Sequence, residues 1–161
     1  MSRNLRSAHA TDEPVDGSGR SVALVCARFN DRIVERLEQG ARRALLDHGV
    51  ADADIVTWWA PGALEIPQVA RAAAASGRFH AVVALGAVVR GDTYHFEVVS
   101  DASAAGLMQL SLDSDVVITN AILTVDDEEQ ALVRAGDDDG NKGAQAAIAA
   151  LETLAVIDSI G

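Results

Sequence analysis

A single cysteine, Cys26, stands among 161 residues, so no disulfide closes within the chain and no cysteine-based metal spacing exists. It lies inside an apolar run and reads as a buried structural thiol. Aromatic residues make up only 4%, so the core must come from alanine, valine and leucine, the small side chains of closely packed helix-on-sheet layers. Basic residues are scarce. The 13 Lys and Arg against 24 Asp and Glu leave a net charge of −11, which argues against the basic face that nucleic acid or an anionic membrane requires. No apolar stretch reads as long enough to span a bilayer, and the amino terminus has no apolar signal core. Apolar material is plentiful, at 49% of the chain, enough for one sizeable core. The expectation is one cytosolic domain over residues 20–161, preceded by a flexible or partner-dependent extension over residues 1–19.

From Arg20 onward two periods alternate. Ser21 to Ala27 is a continuous apolar strand. Asp31 to His48 places Ile33, Val34, Leu37, Ala41, Ala44 and Leu45 on one helical face, and Gly49 supplies a stop. Asp54 to Trp59 predicts a second strand, and Gly62 to Ala75 a helix with Pro67 in its first turns. Ala81 to Val89 is a third strand, rich in valine and buried on both faces, followed by a helix from Thr93 to Leu112. Val116 to Val125 makes the fourth strand. A short helix over Asp127 to Ala135 follows, then a long one from Lys142 to Ile157 that buries Ala144, Ala147, Ile148, Leu151, Leu154 and Ala155. Strand–helix alternation four times over predicts a parallel sheet with right-handed crossovers and helices on both faces.

That topology brings the segments after the strands to one edge of the sheet, where open α/β folds hold their ligands. Four segments are expected there: Arg28 to Asn30, Pro61 to Glu65, Val88 to His95, and Thr119 to Thr124. The third is the most telling. Its apolar run ends abruptly in Arg90, Gly91, Asp92, Thr93, Tyr94 and His95. Gly91 lets backbone amides approach an anion, Thr93 offers a hydroxyl for a helix cap or a phosphate oxygen, and His95 supplies an imidazole for proton transfer.

Taken in order, Arg28-Phe-Asn30, Pro61-Gly-Ala-Leu-Glu-Ile-Pro67, Ala84 to Phe96, Asn120-Ala-Ile-Leu-Thr124, Glu129-Gln130 and Gly140-Asn-Lys-Gly143 resemble the lumazine synthase family of riboflavin biosynthesis. The resemblance covers about Ser21 to Ile157. It implies a flavodoxin-like three-layer αβα sandwich around a four-stranded parallel sheet. It also implies condensation of 5-amino-6-(D-ribitylamino)uracil with 3,4-dihydroxy-2-butanone 4-phosphate to 6,7-dimethyl-8-ribityllumazine, with no metal or organic cofactor. Partners implied are the small-molecule substrates and further copies of the chain, as pentamers or shells of twelve pentamers, with active sites between adjacent subunits.

Residue by residue, the resemblance gives Phe29 as the ring that stacks on the pyrimidine, and Ala63, Leu64 and Glu65 as the segment holding ring and ribityl chain. Ala87, Val88 and Val89 would pack on the pyrimidine. Asp92 and Thr93 match a phosphate-facing pair, with Asp92 itself turned away from the anion. His95 matches the proton-transfer residue, and Arg134 a phosphate-pairing arginine. Lys142 matches a position of the family motif and reads either as a further site residue or as a solvated lysine at a helix start. Asn120 stands at the pyrimidine where many members carry phenylalanine, with a hydrogen bond in place of ring packing, while Leu64 replaces a common aromatic and Tyr94 a common proline.

Other readings fare less well. The loop Gly136 to Gly143 has the wrong spacing for a phosphate loop, and its three aspartates would repel triphosphate. Those aspartates read as a solvated turn, not a cation site. A flavin electron carrier would need a hydroxyl- and glycine-rich turn after the first strand, and Ala27 to Asn30 has neither. A non-catalytic lumazine- or flavin-binding or shell-forming scaffold would share the assembly features and is distinguished by lack of turnover.

Overall fold

The structure, a computed structural model, describes residues 13–161. Strand β1 (Val22–Ala27) is followed by helix α1 (Asp31–Asp47), β2 (Ile55–Ala60), α2 (Ile66–Ala75), β3 (Ala81–Val89) and α3 (His95–Asp113). Strand β4 (Val117–Val125), the short α4 (Glu128–Arg134) and the long α5 (Lys142–Ile160) complete the chain. The four strands are parallel in the order β2-β1-β3-β4. This is the expected αβα sandwich. It follows from the two-residue period of the strands, which sends alternate side chains to opposite layers. Val22, Leu24 and Cys26 join α1 and α5 in one core cluster, while Ala23, Val25 and Ala27 join α2 in the other.

The local signals explain most boundaries. Every predicted face residue of α1 is buried, and Gly49, at φ 94, takes the left-handed conformation that ends the helix. Burial holds the Cys26 thiol protonated by pushing its pKa up. The predicted helix from Gly62 is divided: Ala63–Glu65 form a 3₁₀ turn, and α2 begins only at Ile66. Pro67 has no N–H to donate backwards, so it sits in the opening turn of the new helix. Asp127 caps α4 by accepting from the Gln130 N–H at 2.8 Å, and the Gln130 side chain accepts from the Asp126 N–H at 2.8 Å.

Helix α5 corrects two expectations. Its buried face is Gly143, Ala146, Ala147, Ala150, Leu151 and Leu154, whereas Ala144 and Ile148 are half-buried and Ala155 is exposed. An alanine-rich helix offers little contrast between its faces, so its rotation is set by contact instead. Gly143 lies against the Leu37 backbone so closely that a Cβ there would overlap the Leu37 carbonyl. Asn141, 3% exposed, caps the helix through the Ala144 N–H at 3.0 Å and donates to the carbonyls of Gly136 at 2.9 Å and Arg36 at 3.2 Å. Gly40 makes room for that side chain. By length and composition alone α5 also matches a membrane span, with 19 residues of mean hydropathy 1.3, contrary to the reading that no stretch is long enough. Of that stretch 33% is buried, in the face packed on α1 and the sheet, and its carboxyl-terminal residues Val156, Ile157 and Ile160 are exposed.

Residues 1–12 of the expected amino-terminal extension lie outside the described residues. Nearer the domain, Val15 packs against the core and the Gly17 N–H donates to the His48 carbonyl at 2.6 Å.

Candidate active site

Unequal strand lengths create the site. β1 pairs with β3 only as far as Cys26 and Leu85, whereas β3 pairs with β4 through to Val89 and Val125. The last residues of β3 therefore run beyond the end of β1, and the space left beside them is a groove of about 380 Å³. Three loops wall it. Phe29 follows β1, Pro61 to Glu65 follow β2, and Gly91, Thr93 and His95 follow β3. Ala87, Val88 and Val89 form its floor, with Phe96 and Val99 of α3 behind.

Each loop is held by specific bonds. The Arg28 N–H donates to the Ala60 carbonyl at 2.8 Å and the Phe29 N–H to the Pro61 carbonyl at 3.1 Å, tying the first loop to the second. Phe29 itself is 73% exposed, so its ring presents an open face to the groove. Glu65 closes the 3₁₀ turn and is exposed. A Cβ at Gly62 would approach its Oε1 to 3.3 Å, so the glycine leaves the carboxylate room. The Thr93 hydroxyl accepts from the His95 N–H at 3.3 Å, which turns this side chain back over the start of α3.

Arg90 is the anchor of the third loop. Its N–H donates to the Val125 carbonyl at 2.8 Å, its Nε donates to Asp126 at 2.9 Å, and it also pairs with Glu97. The guanidinium carbon lies 4.3 Å from the centre of the Phe96 ring. Hydrogen bonding to Asp126 and Glu97 raises the Arg90 pKa, and the same arginine holds the Glu97 carboxyl below the usual carboxylate range. Its charge is spent on these partners, so it shapes the turn from Gly91 to Tyr94 without facing the groove as a free cation.

Most expected site residues meet here: Phe29, Ala63, Leu64, Glu65, Ala87, Val88, Val89, Thr93 and His95. Asp92 lies between two lining residues of the same turn. Asn120, Arg134 and Lys142 line a second groove instead, about 410 Å³, on the outer side of β4. The segment from Thr119 to Thr124 was expected after a strand but lies within β4. As an edge strand, β4 leaves alternate backbone groups unpaired, and Asn120 Oδ1 accepts one of them, the Ile122 N–H, at 2.8 Å. Arg134 folds back to donate to the Gln130 carbonyl at 3.0 Å, and Lys142 Nζ donates to Gln145 Oε1 at 3.0 Å. Two cationic side chains in one open groove suit an anion.

Among the described residues, no three or more His, Cys, Asp or Glu side chains gather as a metal-ligand set. Residues that the sequence did not single out include Arg90 as an anchor, Asn30, whose amide donates to the Ala87 carbonyl at 2.8 Å, and Asn141. Only their placement inside the recurring segments could have flagged them.

The sequence profile of the 6,7-dimethyl-8-ribityllumazine synthase family matches residues 19–158. A 6,7-dimethyl-8-ribityllumazine synthase from Gemmatimonas aurantiaca is 49% identical over 142 residues, 88% of this chain and 87% of its own. One from an Anaeromyxobacter species is 49% identical over 89% of both chains. Another, from Leuconostoc mesenteroides, is 42% identical over 91% of this chain and 94% of its own.

Proposed function

The chain belongs to the 6,7-dimethyl-8-ribityllumazine synthase family, and from that premise we propose that the groove at the end of β3 is where its reaction takes place. The protein is a transferase that condenses 5-amino-6-(D-ribitylamino)uracil with 3,4-dihydroxy-2-butanone 4-phosphate, forming 6,7-dimethyl-8-ribityllumazine in the penultimate step of riboflavin biosynthesis. The observation that carries the site assignment is the meeting of Phe29, Glu65, Thr93 and His95, from three separate loops, around one groove.

Each residue type suits a part of the chemistry. The open Phe29 ring stacks on the flat pyrimidine, and the Ala87 to Val89 floor packs its other side. Backbone groups of Ala63 and Leu64 hold the ring and its tail. The Glu65 carboxylate accepts hydrogen bonds from ribityl hydroxyls. The Thr93 hydroxyl and the amides of the Asp92–Thr93 turn face the phosphate, at the start of a 19-residue helix whose first N–H groups favour an anion. His95 moves protons. An amine attacks a ketone, water leaves as the imine forms, phosphate is eliminated, and a second water leaves as the ribityl-bearing nitrogen closes the ring on the remaining carbonyl; each step needs a proton given or taken at a nearby heteroatom.

Small molecules and further copies of the chain are its partners. We propose a pentameric ring, with twelve rings forming a shell as its larger form, in the cytoplasm. Its sites lie between subunits: Asn120, Arg134 and Lys142 of one copy close the His95 groove of the next. Support comes from the division of the expected phosphate ligands between two grooves of one chain. Exposed apolar side chains on α3 and α5, such as Met108, Leu112, Val156 and Ile160, give neighbours something to cover.

The test is direct. Purified protein mixed with both substrates should generate lumazine absorbance and fluorescence above the uncatalysed rate, with phosphate released in equal amount. No acceleration over a protein-free control overturns the assignment.

A further inference from the structure

Asn30 is the only non-glycine residue among those described with a positive φ, at φ 62 and ψ 39. It stands at the amino-terminal cap of α1, a position asparagine favours because its side chain bonds the helix's free N–H groups. Here it makes no such bond. Its backbone carbonyl alone starts the helix, accepting from Ile33 at 3.1 Å and Val34 at 3.2 Å. The side chain is committed elsewhere, with Nδ2 donating to the Ala87 carbonyl at 2.8 Å across 57 residues.

The place of that carbonyl is informative. In a parallel strand the N–H and C=O of one residue point to the same neighbour, and alternate residues to opposite neighbours. The Arg90 N–H goes to Val125, so Arg90 and Val88 face β4, while Ala87 and Val89 face the side of β1. But β1 has already stopped pairing, at Cys26 with Leu85. Asn30 supplies from a side chain the bond that a longer β1 would have supplied from its backbone. The second consequence concerns Phe29. A ring that is 73% exposed has almost no packing to aim it, so its direction is set by the backbone on either side. On one side Phe29 bonds Pro61; on the other is the left-handed Asn30.

We propose that Asn30 is a positioning residue for the pyrimidine substrate: its left-handed backbone aims Phe29, and its amide fixes the Ala87 end of β3, so that the two walls gripping the ring keep their spacing. This rests on the assignment of the groove to the pyrimidine. The phosphate-facing turn at Thr93 is anchored separately, through Arg90, and lies outside this effect.

Three variants separate the two contributions. Asn30→Gly keeps the left-handed backbone and loses the amide; Asn30→Asp keeps the reach but sets an acceptor against the Ala87 carbonyl; Asn30→Ala loses both features. The readouts are KM for each substrate and binding of 6,7-dimethyl-8-ribityllumazine followed by its fluorescence. Asn30→Gly should weaken lumazine binding and raise the pyrimidine KM about tenfold, the scale of one lost hydrogen bond. Asn30→Asp and Asn30→Ala should lose more, and the KM for the butanone phosphate should stay within about twofold of wild type. If Asn30→Ala fails to fold, Asn30→Gly decides. Wild-type affinity in Asn30→Gly, or equal rises in both KM values, overturns the role of Asn30 alone. Failure of the wild-type protein to bind the lumazine overturns the groove assignment with it.

Discussion

His95 and Arg134 of one chain line different grooves, the first at the end of β3 and the second on the outer side of β4. Arg134 ends α4, and its guanidinium bonds the Gln130 carbonyl of its own helix. In the proposed ring, an anion beside Thr93 takes this arginine from another copy. Chains carrying His95→Ala or Arg134→Ala, each nearly inactive, should therefore recover activity when unfolded and reassembled together in equal amounts. Random mixing in a closed ring leaves roughly a quarter of interfaces with both residues intact. Mixed rings confirmed by native mass spectrometry but showing no recovery would reject the shared site.

His95→Ala should lower kcat by ~10²-fold or more, the usual scale for a positioned proton-transfer group. His95 is exposed, so its removal should leave the melting temperature nearly unchanged. A loss under about threefold would reduce His95 to a structural or steering role.

Arg90→Met should raise the KM for the butanone phosphate several-fold, because the turn at Gly91 to Tyr94 loses its tie to Asp126 and Glu97. The pH dependence has a definite sign. Glu97 has a lowered folded-state pKa, so its contribution is present above the ordinary carboxylate range and is lost as pH falls through the lowered value. In Arg90→Met, carboxyl NMR titration should show Glu97 moving up toward the ordinary value. Both groups lie at the surface, so the stability change at neutral pH should be small. An unmoved Glu97 titration would show that the pairing is not formed in solution.

Gly143→Ala should be severe although no ligand comes near it. The new methyl group overlaps the Leu37 carbonyl, a backbone atom that cannot turn aside, so α1 and α5 must part. Overpacking of this kind costs about 1–3 kcal/mol. Gly91→Ala, where an added Cβ meets nothing within 4 Å, should melt like wild type. Equal melting temperatures for the two variants would contradict the packing account.

The strands and the face of α1 were legible because their patterns are strong: β1 is apolar throughout, and α1 sets Ile33, Val34, Leu37 and Ala41 against charged neighbours. Helix α5 was legible in extent but not in rotation, since runs of alanine look alike from every side and a backbone contact at Gly143 decides the matter. Phe29, Glu65 and His95 could be placed together because strand ends share an edge. Asn120 could not be placed, because the point where β4 stops depends on its pairing with β3. The segments Glu129-Gln130 and Gly140 to Gly143 were visible as a resemblance. Their structural content, a helix cap and a helix crossing, is only apparent from the contacts of Gln130, Asn141 and Gly143.

The mismatch in length between β1 and β3 also bears on how the protein breathes. Past Leu85, β3 is paired on the β4 side, and on the other it has, among the described residues, the Asn30 side chain in place of a strand, so this stretch behaves in part as an edge inside the molecule. Edges open more readily than strand interiors, and the Val89 amide should exchange with solvent faster than the Val83 amide, which lies between two strands. A flat ring carrying donors and acceptors along its rim would lie where the missing strand would have been. On the proposed assignment, the heterocycle would complete the sheet at this seam and take up backbone groups that β1 leaves unpaired.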